Sequence, residues 1–123
     1  MYEICVEQEF DAAHYLRGYQ GRCEALHGHR YRVLVRVKTN QLNAIGLAYD
    51  FTELKRHLSE ILERFDHTCI NDVPPFDEIN ASAENIARTI YQQLEPKLAG
   101  TPVAISGVEV WESPQNRVTY TPD

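Results

Sequence analysis

A chain of 123 residues with 43% apolar side chains fits one compact domain with a real core, but offers little material for a deep private cleft. Eighteen acidic against twelve basic residues give a formal net charge of -6, which argues against a nucleic-acid-coating protein or a polybasic membrane binder, and no apolar run approaches the ~20 residues that span a bilayer. The opening MYEICVEQEF is acidic where a secretory leader would be basic, and Cys5, Cys23 and Cys69 form neither CxxC spacing nor an even set, so the expectation is a cytoplasmic protein with reduced thiols.

Tyr2, Ile4, Val6 and Phe10 alternate with Glu3, Cys5, Glu7 and Glu9, the period of a half-buried strand over residues 2–10. Residues 16–24 hold Gly18 and Gly21 among polar neighbours and read as a loop. From His27 to Lys38 a second strand sets His29, Tyr31, Val33, Val35 and Val37 against Arg30, Arg32, Arg36 and Lys38, one apolar face and one basic. Asp50 and Thr52 offer N-caps to an amphipathic helix carrying Leu54, Leu58, Ile61, Leu62 and Phe65. Pro74 and Pro75 break the chain. Asn80 or Ser82 caps a second helix with Ile86, Ile90 and Leu94 on one stripe, which Pro96 is expected to stop. Alternation returns at residues 103–112 and 118–120, with Pro114-Gln115-Asn116 as a hairpin turn. Strand, strand, helix, helix, strand, strand predicts a single α+β domain over residues 1–123: a four-stranded antiparallel sheet with two helices on one face.

Three groups of residues could carry chemistry. His27 and His29 lie two apart on a strand, so both imidazoles project from one face, and His14 adds a third if the first two strands pair; three neutral nitrogens suit a catalytic zinc with an open position. Packed, hydrogen-bonded histidines are the alternative. Cys23 enters that strand four residues before His27 and reads as an inert thiol, a nucleophile, a general base or a fourth metal ligand. In Asp66-His67 a carboxylate can orient an imidazole for proton relay, or simply finish a turn beside a surface histidine. Glu112 shares the face of Val108 and Val110, opposite to Glu109 and Trp111, and is either a solvated strand end or a receptor for two N–H donors of a ligand.

Taken in order, C-E-A-L-H-G-H at residues 23–29 with the upstream His14, G-L-A-Y-D-F at 46–51, F-D-H-T-C-I-N-D at 65–72, A-E-N-I-A at 83–87 and V-W-E at 110–112 resemble the 6-pyruvoyl-tetrahydropterin synthase family. The short C-x3-H-G-H spacing is similar to its bacterial, 6-carboxy-5,6,7,8-tetrahydropterin-forming branch, which serves queuosine biosynthesis. The resemblance implies a tunnelling fold whose strands join across subunits into a barrel, in a trimer or homohexamer with sites at subunit interfaces. It implies Zn2+ on His14, His27 and His29, catalysis by Cys23, Asp66 and His67, and pterin anchoring by Glu112. The implied substrate is 7,8-dihydroneopterin triphosphate, cleaved by a carbon–carbon lyase reaction; pyruvoyl-forming chemistry, a non-catalytic pterin-binding homologue and a zinc-binding structural oligomer are the rivals. Arg22, Arg30 and Arg32 are candidate triphosphate ligands. One departure from the family pattern is Ala81-Ser82-Ala83-Glu84-Asn85, where members commonly carry P-T-x-E-N.

Overall fold

The computed structural model describes residues 1–123. Strands β1 (Tyr2–His14) and β2 (His27–Thr39) are followed by helix α1 (Phe51–Leu62), a short β3 (Thr68–Cys69), helix α2 (Ala83–Leu98), β4 (Ala104–Ser113) and β5 (Asn116–Tyr120). The sheet order is β3-β1-β2-β4-β5, antiparallel except for the parallel β1–β3 pair. The architecture is therefore α+β as expected, with five strands in place of four. The extra strand has only two residues, too few to show a period, and forms because the chain leaving α1 turns back along the free edge of β1. That turn needs a left-handed residue, supplied by His67 at φ 60°, whose N–H donates to the Asp11 carbonyl at 2.6 Å.

One face of the sheet builds the core. Val6 and Phe10 of β1, Tyr31, Val33 and Val35 of β2, and Val108 and Val110 of β4 are buried beneath Leu54, Leu58 and Ile61 of α1 and Ile86, Ile90 and Leu94 of α2. Strand alternation and the helical stripe converge on the same layer, so each pattern buries the other. A register shift opposite Arg36 and Val37 changes the parity of β4, which lets Ile105 and Val108 both face inward.

The caps fall where the side chains predict: Asp50 accepts from the Thr52 N–H at 2.8 Å, and Ser82, not Asn80, accepts from the Asn85 N–H at 3.1 Å. Four boundaries differ from expectation. Helix α1 stops at Leu62, short of Phe65, and β5 starts at Asn116, inside the expected turn. Strand β1 runs past Phe10 to His14, because Asp11–His14 pair residue for residue with Arg30–His27. Helix α2 passes through Pro96 to Leu98; a proline in the final turn forfeits one hydrogen bond, and burial of Leu98 in the core offsets it.

The outer face is a charged lattice. The acids of β1 lie against the basic row of β2: Arg30 pairs with Asp11 at 3.0 Å and Glu9 at 3.7 Å, and Arg32 with Glu7 at 2.6 Å. On β4, Glu109 accepts from Arg36 at 3.0 Å and from the Trp111 indole N–H at 2.5 Å, while Arg32 and Arg117 both lie 4.8 Å from the Trp111 ring. The basic face expected for β2 is thus neutralised by its neighbours.

Candidate active site

The β1–β2 register sets His14 directly opposite His27, and Ala12 opposite His29, so three imidazoles gather at one end of the sheet on the helix-covered face. Their ring centroids lie 4.5, 4.8 and 5.1 Å apart, and one nitrogen from each falls within 4.8 Å of the others. His14 is 1% exposed. Its Nδ1 donates to the Ala81 carbonyl at 2.7 Å, and His27 Nδ1 donates to the Ala25 carbonyl at the same distance. Fixing the proton on Nδ1 turns the Nε2 lone pair toward the cluster, the arrangement that second-sphere carbonyls impose on metal-binding histidines.

His14 Nε2 and His29 Nε2 are buried and lack hydrogen-bond partners, a costly state for paired imidazoles unless something accepts those lone pairs. Burial lowers the pKa of both His14 and His29, which keeps them neutral and able to ligate. The residues fit a divalent ion of zinc type. Glu112, 26% exposed, projects beside them from the end of β4, with its oxygens 3.5 Å from His29 Nε2 and 3.9 Å from His14 Nε2. No arginine pairs with it. It lines a cleft of about 370 Å³ together with His29, Arg32, Trp111 and Ser113.

Cys23 is half-buried in a 3₁₀ turn of residues Arg22–Glu24, and its carbonyl accepts from the Leu16 N–H at 2.7 Å, which folds the loop back toward the end of β1. Its sulfur is not among the atoms gathered in the histidine set.

Asp66 and His67 form a separate cluster at the β1 edge. Asp66 Oδ1 accepts from the Asp11 N–H at 3.0 Å and lies 3.0 Å from His67 Nδ1, while the His67 side chain is 78% exposed. The Asp11 N–H, with help from His67, holds the Asp66 pKa below its ordinary value. The dipeptide is therefore a true carboxylate–imidazole pair, but nothing joins it to Cys23 or the three imidazoles of the same chain.

Several positioning residues escape a reading of motifs. Buried Asn71 accepts from the Tyr15 N–H and donates to the Tyr15 carbonyl, both at 3.0 Å; Asn80 does the same to Arg17 at 2.9 and 3.0 Å. Two amides thereby act as strand surrogates that clamp the chain leaving His14. Arg17 is spent on the carbonyls of Phe76 and Ile79. Arg30 and Arg32, named as triphosphate candidates, are engaged with β1 carboxylates.

The profile of the 6-pyruvoyl tetrahydropterin synthase family matches residues 3–123. A 6-carboxy-5,6,7,8-tetrahydropterin synthase of Synechocystis sp. is 34% identical over 125 residues, covering 98% of this chain and 93% of that one. The protein of the same name from Rickettsia felis is 31% identical over 124 residues, covering 86% and 90%. Among solved structures, the 6-pyruvoyl tetrahydropterin synthase of Caenorhabditis elegans matches with a TM-score of 0.85 at 27% identity, over 100% of this chain and 98% of that one.

Proposed function

The chain belongs to the 6-pyruvoyl tetrahydropterin synthase family, and from that premise we propose that it is a zinc-dependent lyase of the carboxy-forming branch. Its reaction would convert 7,8-dihydroneopterin triphosphate and one water to 6-carboxy-5,6,7,8-tetrahydropterin, acetaldehyde and triphosphate, as an early step of queuosine biosynthesis in the cytoplasm. The observation that carries the reading is the convergence of three lone-pair-bearing imidazoles and one arginine-free carboxylate at a single sheet end. The carboxy-forming assignment is supported by the names of the Synechocystis and Rickettsia relatives.

His14, His27 and His29 would hold the zinc ion, which supplies Lewis-acid polarisation of substrate oxygens when bound. Glu112 accepts the parallel N–H donors of the pterin ring, a geometry one carboxylate satisfies with both oxygens. Cys23, as thiolate, removes a proton from the substrate side chain. His67, oriented by Asp66, exchanges a proton on the other side of that chain. Because the Asp66–His67 pair stands apart from Cys23 in one protomer, a second protomer of a trimer or hexamer supplies it.

The test is to incubate zinc-loaded protein with 7,8-dihydroneopterin triphosphate and resolve the products by chromatography. Acetaldehyde and the 6-carboxylated pterin in equal amounts are expected. A 6-pyruvoyl pterin without acetaldehyde would reassign the protein to the pyruvoyl-forming activity, and pterin binding without turnover to a non-catalytic role.

A further inference from the structure

Tyr31 stands one step along β2 from His29 on the same face, with its ring edge-on to His14 at 5.7 Å and to His29 at 5.5 Å. Phe10 stacks on it at 4.8 Å and 11°, which fixes the ring plane. The side chain is 0% exposed, yet its hydroxyl has no hydrogen-bond partner. Packing alone does not ask for that hydroxyl, since phenylalanine would fill the same space without burying an unpaired donor.

The β2–β4 ladder pairs Val33 with Val110 and Arg32 with Trp111. Tyr31 and Glu112 are the next residues beyond the last pair of that ladder, and the Glu112 charge is felt at the Tyr31 hydroxyl. Glu112 makes no hydrogen bond; its two contacts to imidazole nitrogens, at 3.5 and 3.9 Å, are at or beyond the limit for one. A buried donor without an acceptor therefore faces a carboxylate without a donor.

We propose that Tyr31 is a positioning residue for Glu112, its hydroxyl donating to a carboxylate lone pair that points away from the ligand. An ionised carboxylate offers about four lone-pair positions, so one such bond leaves the two parallel ones free. Tyr31 thus fixes the plane in which Glu112 meets paired N–H donors, and selects a 2-aminopyrimidinone ring over one carrying oxygen at that position. The inference rests on Glu112 being the pterin anchor proposed above.

Binding of neopterin and of lumazine, which lacks the 2-amino donor, to the zinc-loaded protein and its Tyr31→Phe variant tests this by calorimetry. The variant is expected to lose about tenfold in neopterin affinity, to keep lumazine affinity within about twofold, and to retain its zinc and a Tm close to the parent's, since phenylalanine fills the same space. Neopterin affinity within about twofold of the parent, or an equal loss for both ligands, overturns the positioning role and leaves the pterin reading standing. Failure of the parent itself to bind neopterin overturns the pterin reading and this inference with it.

Discussion

The thiol and the imidazoles are separable at the level of single residues. Cys23 sits in its own turn, outside the histidine set, so Cys23→Ala should cut turnover by at least about 10²-fold, the scale of a lost general base, while the zinc content per protomer stays unchanged. Steady-state rates with elemental analysis check this; zinc loss in the variant would make Cys23 a ligand. The three histidines were legible in the sequence because strand parity alone decides which side chains share a face, and His27, His29 and His14 needed only one antiparallel pairing to meet. Glu112 was legible in the same way. Asn71 was not, since its importance lies in a partner 56 positions away, which no local period announces. Asp66-His67 read as a pair, yet only the structure reveals the Asp11 backbone as its third member and the left-handed turn that carries it.

At the level of elements, long periodic stretches were readable and short or compensated features were not. Strands β1, β2 and β4 and both helices follow from alternation and amphipathic spacing, whereas β3 exists through backbone pairing alone and α2 outlasts Pro96 through tertiary burial. The outer sheet face shows the same dependence on neighbours. Glu109 was readable as facing away from the core, but its burial and its role as the hub of Arg36, Trp111 and Arg117 arise from cross-strand register. Burial by itself would raise the Glu109 pKa, and the hydrogen bonds from Arg36 and Trp111 outweigh it, leaving the carboxyl below its ordinary value of 4.5. A carboxylate with a depressed pKa stabilises the fold above the pKa it has when unfolded, and loses that contribution as the pH falls through the folded value. Glu109→Gln, which keeps the volume and an acceptor for Trp111, should therefore lower stability at pH 7 by about 1.5–3 kcal/mol, the scale of a hydrogen bond to a charged group. In denaturant titrations at several pH values the gap between variant and parent should narrow below pH 4.5; a gap independent of pH would show that shape and not charge is responsible.

At the scale of the whole molecule, the sheet edges and the proposed catalytic groups lie in separate places. Beyond Ala12 and Ala13, which pair with β3, the edge of β1 away from β2 carries no strand, and β5 presents the other open edge. Open edges of this length invite pairing with another chain, and ring closure would remove both at once. The Asp66–His67 pair lies at the β1 edge, while Glu112 lies on β4, two strands across. Edge-to-edge association would bring an Asp66–His67 pair from one protomer toward the histidine end of the next, the reading offered above for how so short a chain acquires a full site. Subunit mixing tests it. Cys23→Ala and His67→Ala should each be inactive alone, because every interface then lacks one group. Mixed in equal amounts and allowed to exchange, they should recover about one quarter of parental activity, since that fraction of interfaces in a cyclic assembly unites an intact Cys23 with an intact His67. If both groups act within one chain, no exchange restores a complete site, and the mixture stays as inactive as its components.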